Sequence, residues 1–193
     1  MLSVVVATNE SERALVPTLA ALVPGATAGL VREVIIADPG SRDATADVAD
    51  VAGCRMLVSD APLGIRLTQA AAAARAPWLL FLTAGAVPQS GWVEEATRFI
   101  EEASLQGRAD AVAAAFRAVS PAVVPASPLR EAIALLAQAA GLVRHATQGL
   151  LIEKQHYLRI GGHRAEAPAP EADVLRRLGR RRIVTLRCGA VSA

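Results

Sequence analysis

Short continuous apolar runs alternate along the chain with segments whose apolar residues recur every three or four positions. Ser3-Val4-Val5-Val6-Ala7 opens as such a run and breaks into the polar Thr8-Asn9-Glu10. Leu15, Val16, Leu19, Ala20, Leu22 and Val23 follow at helical spacing, and Pro24-Gly25 is predicted to stop that helix. A second strand covers about Arg32 to Ala37 and ends in Asp38-Pro39-Gly40-Ser41-Arg42-Asp43. Ser41 is placed to cap a helix through Val51, with Asp43 in its first turn where a carboxylate is favoured. Cys54 to Ser59 reads as a third strand.

The stretch Leu67 to Arg75 is almost all alanine, the strongest helix former, and Pro77 ends it before Trp78-Leu79-Leu80-Phe81-Leu82. That run is continuous enough to be a strand buried on both faces. Ser90 is predicted to cap a helix in which Val93, Ala96, Ile100 and Ala103 line one side while Glu94, Glu95, Glu101 and Glu102 face water. Further on the pattern predicts a strand over Ala109 to Val119, a loop from Pro121 to Pro128, and a helix carrying Leu129, Ile133, Leu136, Ala140 and Val143. A strand at Gly149 to Glu153, a short helix at Lys154 to Ile160 closed by Gly161-Gly162, a basic helix from Glu171 and a strand near Ile183 to Leu186 complete it. Alternation of strand and helix implies an α/β fold with a mostly parallel sheet flanked by helices.

Length and composition narrow this further. A chain of 193 residues suits one domain with a substantial core, and 53% hydrophobic against 20% charged excludes a disordered chain. The longest apolar window, Leu67 to Leu82, is interrupted by Thr68, Gln69, Arg75 and Pro77, short of the roughly 20 apolar residues a membrane span requires. No secretory leader pattern precedes the first strand, so a cytoplasmic location is expected. Cys54 and Cys188 have no metal-ligand spacing and read as two buried thiols. A net charge of +2 gives no reason to expect a nucleic-acid partner, and the sequence leaves the oligomeric state open. Arg176, Arg177, Arg180, Arg181, Arg182 and Arg187 nevertheless concentrate near the C-terminal end. They suit either phosphate or peripheral contact with an anionic membrane surface, or else a solvated helix end.

Open α/β sheets bind ligands at the C-terminal ends of their strands, and that is where Thr8 to Glu10 and Asp38 to Asp43 fall. Asp38 at a strand end beside a tight turn can accept from a nucleobase or ribose while the following amides favour phosphate; alternatively it is a turn aspartate serving Ser41. His145, His156 and His163 are not spaced as a metal triad. Trp78 and Trp92 sit in apolar periodic patterns and are expected in the core rather than as sugar platforms.

Four ordered blocks resemble family 2 glycosyltransferases. The first strand ends in a Thr-x-Asn-Glu-like turn and the second in Asp38-x-Gly40-Ser41-x-Asp43. Pro62 to Arg75 is similar to the segment Gly-Arg-x-x-Gln-Leu-Asn-x-Gly-x-x-x-Ala-Arg, followed by the same Trp-Leu-Leu-Phe-Leu strand. Gln148 to Ile152 with Leu158-Arg159-Ile160-Gly161-Gly162 is similar to the acceptor-side block of that family. The resemblance implies a single GT-A domain over 1–193, with a nucleotide-binding half at about 1–107 and an acceptor-side half at about 108–193. It implies a nucleotide-diphospho-sugar donor, an acceptor not identified by the sequence, and inverting transfer.

Carried over by position, Thr8, Asn9 and Glu10 would line the nucleotide pocket with Gly40 and Ser41, Asp38 would face the base, and Arg66 would approach the donor. Thr68 stands where the family usually has asparagine and Ala70 where it has glycine, which narrows the pocket and removes an amide. Aligning Arg176-Arg177-Leu178 without a gap puts Glu171 at the position of the base that deprotonates the acceptor, with Asp173 two residues beyond. Both acids would also favour a helix N-terminus for structural reasons alone. His163 follows Gly161-Gly162 where the family has an aromatic residue, within reach of an acceptor.

One block departs. The family follows its fourth strand with an Asp-x-Asp-like motif that holds a divalent metal against the diphosphate, whereas this chain has Thr83-Ala84-Gly85-Ala86-Val87. Magnesium or manganese cannot be held there in the usual way, and arginine is the remaining source of positive charge. Two readings follow: a glycosyltransferase with a degenerate metal site, or a non-catalytic descendant that keeps the fold for ligand binding or a protein partner. A nucleotidyltransferase of related fold is weaker, because no Gly-rich, Arg-containing loop follows the first strand.

Overall fold

The computed structural model describes residues 1–119 and 147–192. The predicted loop at Pro121 to Pro128, the helix with Leu129 to Val143 and His145 lie outside the described residues. The elements are β1 (Leu2–Ala7), α1 (Glu12–Thr27), β2 (Val31–Asp38), α2 (Thr45–Val51), β3 (Arg55–Val58), α3 (Leu63–Ala73), β4 (Trp78–Thr83), β5 (Ala86–Pro88) and α4 (Trp92–Leu105). They continue with β6 (Ala113–Val119), β7 (Thr147–Glu153), α5 (Lys154–Arg159), α6 (Pro170–Leu178), a 3-10 turn at Arg180–Arg182 and β8 (Ile183–Ser192).

The described strands join one 8-stranded sheet in the order β3-β2-β1-β4-β7-β6-β8-β5. The β3-β2-β1-β4 part is parallel throughout, as strand-helix-strand crossovers require. Beyond β4 the pairing mixes: β7 runs antiparallel to β4 and β6, and β8 runs parallel to β6 but antiparallel to β5. The period of two along β1 and β4 divides their side chains between two cores. Leu2, Val4, Val6, Leu80 and Leu82 pack with Leu15, Leu22, Trp92 and Phe99 on the α1/α4 face. Val5, Ala7, Leu79 and Phe81 pack with Leu67, Ala70, Tyr157 and Val174 on the α3/α5/α6 face. Trp78 and Trp92 are core residues, 4% and 2% exposed.

Several boundaries differ from the sequence pattern for identifiable reasons. Helix α1 runs through Pro24-Gly25 to Thr27. Gly25 is there for contact, since a Cβ would lie 2.6 Å from the Trp92 indole. Ser41 caps no helix: α2 begins at Thr45, and the Ser41 hydroxyl donates to Asp38 instead. Gly91, with φ of 85°, rather than Ser90 precedes α4. Strand β8 is longer than predicted because it is held on both edges, by β6 and β5. Cys54 and Cys188 are half-buried free thiols, and burial raises the pKa of each. Among the described residues no helix is long and apolar enough to cross a membrane.

Candidate functional site

The C-terminal ends of β1, β2 and β4 lie side by side, so the polar residues that terminate them converge. Asp38 is fully buried and accepts from four donors. The Gly40 and Ser41 amides reach Oδ1 at 2.8 and 2.6 Å, and the Thr8 and Ser41 hydroxyls reach Oδ2 at 2.6 and 2.7 Å. Desolvation works to raise the Asp38 pKa, but the bonds from Thr8, Ser41 and Gly40 together hold it below the usual carboxylate value.

A second layer surrounds this turn. Glu10, with φ of 48°, donates its amide to Ser41 Oγ at 2.9 Å and receives the Arg42 and Asp43 amides on its two carboxylate oxygens at 3.0 and 3.2 Å. Asp43 accepts from the Thr45 hydroxyl and the Glu12 amide, which in that order lower its pKa. Asn9 is exposed. Arg66, on α3, is 8% exposed and donates from Nη1 to the carbonyls of Thr8 and Ala37 at 3.2 and 2.9 Å. Among the described residues its Nε has no partner, and desolvation lowers its pKa against the opposing pull of Asp38.

Across the mouth stands α6. Glu171 is exposed and accepts from the Thr83 hydroxyl at 3.1 Å, which brings its carboxylate to the end of β4. Asp173 is 9% exposed and lies in an arginine cluster, 2.6 Å from Arg176, 2.8 Å from Arg177 and 4.0 Å from Arg164. Arg177 first and Arg176 second hold its pKa down. Arg177 also donates to the carbonyls of Ile160 and Gly162, fastening the Gly161-Gly162 turn to the helix. The Ala84 and Gly85 amides are spent on the carbonyls of Ala7 and Ala14. Among the described residues no group of three or more His, Cys, Asp or Glu side chains converges as a metal site. Beside the end of β4 stand one hydroxyl, that of Thr83, and one carboxylate, that of Glu171.

A cleft of about 700 Å³ opens between residues 161–169 and α6, with His163, Arg164, Asp173 and Arg176 in its wall. Thr68 does not face β1 or β2. Its hydroxyl lies 2.9 Å from the Gly64 carbonyl, 3.1 Å from that of His163 and 3.3 Å from the Tyr157 hydroxyl, so it ties α3 to this cleft. His156 is a packing residue, 3% exposed with Nδ1 3.3 Å from the Val112 carbonyl. Sequence reasoning overlooked Tyr157 and Arg164, which carry no local signal and gain their place only when residues 157–164 fold against α3 and α6.

A sheet whose polar strand ends gather on one side, faced by a helix carrying acids, is the GT-A glycosyltransferase fold. The profile described as glycosyl transferase family 2 matches residues 3–155, and the chain belongs to that family. Glucosyl-3-phosphoglycerate synthase from Mycobacterium tuberculosis, solved with Mn2+, UDP and glucosyl-3-phosphoglycerate, superposes with a TM-score of 0.66 at 20% identity. The match covers 100% of this chain and 72% of that one. The same enzyme with phosphoglyceric acid gives 0.66 at 20% identity, over 100% and 71%. A mannosyltransferase from Pyrobaculum calidifontis, solved with GDP-Man and Mn2+, gives 0.71 at 14% identity over 100% and 56%. Comparison of the sequence with curated proteins returned no match.

Proposed function

We propose that this protein transfers a sugar from a nucleoside diphosphate sugar to an acceptor hydroxyl with inversion, using Glu171 as base and no bound metal. The observation that carries it is the Thr83–Glu171 contact, which sets an exposed carboxylate beside the strand end where the nucleotide-binding turn also lies. Family membership and structural neighbours that hold UDP or GDP-Man support the donor class. In this reading the acceptor oxygen attacks the anomeric carbon from the face opposite the diphosphate. Its proton passes to Glu171, and the bond to the diphosphate oxygen breaks as the new glycosidic bond forms. Thr8, Asn9, Glu10, Gly40 and Ser41 frame the nucleotide. Asp38, its oxygens already engaged, acts by holding the turn. Arg66 supplies positive charge beneath it, in place of a cation that Thr83 to Val87 cannot bind. Asp173, tied to three arginines, positions α6 rather than taking a proton.

Calorimetric titration with UDP, GDP and their glucose and mannose conjugates, in EDTA and again in manganese, tests this. The expected result is binding of one nucleotide class with the same affinity in both. Manganese-dependent binding refutes the metal-free arrangement, and no nucleotide binding at all favours the alternative of a non-catalytic GT-A descendant. That alternative draws on one observation of its own, that all four donors around Asp38 are internal.

A further inference from the structure

The end of the sheet opposite the strand-end turns carries cations that the site does not use. Strands β4 and β6 run the same way, because each is antiparallel to β7. The register sets Ala113 level with Ile152 and Ile183, and so with Leu79 near the start of β4. The starts of β1, β2, β3, β4, β6 and β8 therefore share one end. There stand Arg32 in β2, Arg55 in β3, Arg75 before β4, Arg108 before β6 and Arg180–Arg182 before β8. All of them are exposed, and among the described residues none forms an ion pair.

The acids at this end are mostly spent. Glu33 accepts from the Ser3 hydroxyl and the Arg75 amide, Glu153 from the His156 amide, and Asp110 pairs with Arg159 at 3.0 Å. Glu102 lies 3.6 Å from Arg98. Asp50 and Glu101, on the helices that descend to this end, form no ion pair among the described residues. Lys154 adds a further cation, its ammonium on the carbonyls of Ala72 and Ala74. The mouth end carries Glu10, Asp38, Asp43, Glu171 and Asp173, so a chain with a net charge of only +2 is polarised along its strands.

Exposed apolar side chains gather at the same basic end. Val51 closes α2 and is 90% exposed, Leu105 closes α4 and is 88% exposed, and Leu158 on α5 and Val184 at the start of β8 are also exposed. Helix α4 descends to this end, since its Phe99 meets Trp78, the first residue of β4, at 5.7 Å between ring centroids. Arginines interspersed with apolar side chains suit the headgroups and upper acyl region of an anionic bilayer, where charge attracts and buried apolar area adds to it. A nucleic acid would match the arginines but not the apolar residues. Every Trp, Tyr and Phe is buried, which leaves no ring to stack on a base.

We infer that this end of the molecule docks on an anionic lipid surface, its arginines among the headgroups and Val51, Leu105, Leu158 and Val184 at the acyl boundary, with the mouth beside Thr83 and Glu171 turned to water. The docking is independent of the transfer chemistry. Co-sedimentation of the full chain with sucrose-loaded vesicles tests it. Binding is expected to phosphatidylcholine vesicles holding about 30 mol% phosphatidylserine at about 0.1 M salt, to fade toward about 0.5 M, and to be absent on phosphatidylcholine alone. Arg181→Gln combined with Arg182→Gln should weaken it about 25-fold, roughly fivefold for each charge. Arg13→Gln combined with Arg117→Gln removes the same charge near the mouth end and should change it less than about threefold. Leu105→Gln should weaken it about threefold to tenfold. All of these positions are exposed, so thermal melts should match wild type. No binding to the charged vesicles, equal losses from the two arginine pairs, or a Leu105→Gln variant that binds vesicles as wild type does overturns the docking surface. Tighter binding of a short DNA duplex than of the vesicles at the same salt overturns it too, and makes a nucleic acid the partner.

Discussion

The two sides of the site spend their polar groups differently. At the ends of β1 and β2, Asp38, Glu10 and Asp43 direct their carboxylates at nearby amides and hydroxyls, and every bond in that network is internal. Across the mouth, Glu171 has one exposed contact and His163 keeps an unpaired nitrogen. The strand-end turns form a self-bonded shape apart from the Arg66 Nε, and the α6 side presents the exposed Glu171 carboxylate beside an Asp173 tied to three arginines. A cradle binds by geometry and a reacting group needs an unspent lone pair or proton, so the division matches the roles proposed for them.

The sharpest way to break that comparison is Glu171→Gln. The amide preserves shape and the contact with Thr83 but cannot take a proton, so transfer should fall roughly 10²- to 10⁴-fold with donor affinity unchanged. A variant that transfers at the wild-type rate removes Glu171 as base and shows that the free carboxylate is incidental.

Asp38→Ala attacks the prebuilt side. It strips the acceptor from two amides and two hydroxyls in a fully buried place, so the expected loss is about 1.5–3 kcal/mol of stability together with weaker nucleotide binding. Its pKa is lower folded than unfolded, so its contribution is present above the ordinary carboxylate range and disappears as pH falls through the lowered value. Wild type should therefore lose more stability than the variant on acidification below about pH 4, measured by denaturant melts across pH. Equal acid sensitivity would mean that Asp38 does not organise the turn.

Legibility follows the same divide. The strand-end turns at Thr8 to Glu10 and Asp38 to Asp43 were readable because each is a contiguous string whose residues bond to one another or to the neighbouring strand. The parallel pairing of β1 to β4 was readable for a related reason, since alternating strand and helix leaves few ways to build anything but a parallel sheet, though the order of the strands in it was not. The true starts of α2 and α4 were not: Ser41 and Ser90 look like caps, and only tertiary contacts show that Asp38 claims Ser41. The cleft was opaque because its parts come from α3, the turn after α5, and α6. No pattern local to His163 or Thr68 says that they meet.

Gly64→Ala sharpens the comparison at the seam between the two sides. A Cβ there would lie 2.2 Å from the Arg164 carbonyl oxygen, a backbone atom that cannot swing away. The segment carrying His163 and Arg164 must then move off α3, at a cost of about 1–3 kcal/mol. Denaturant melts should show that loss, and transfer should weaken more than nucleotide binding. Equal weakening of transfer and nucleotide binding would mean that the two sides form one rigid unit and are not separately built.

Thr83→Val should have the smallest effect. Threonine and valine have nearly the same shape, so the change removes the hydroxyl that donates to Glu171 and little else. The bond is exposed and water can replace it, so folding stability should change by less than about 0.5 kcal/mol. If the contact holds the Glu171 carboxylate in place for proton abstraction, kcat should still fall about threefold to tenfold with KM for the donor unchanged, the size of one modest hydrogen bond. Thr83→Ser, which restores the donor, should recover most of that rate. A valine variant with wild-type kcat would leave Glu171 positioned by α6 alone, and the link between β4 and the acid-bearing helix would then carry no functional weight.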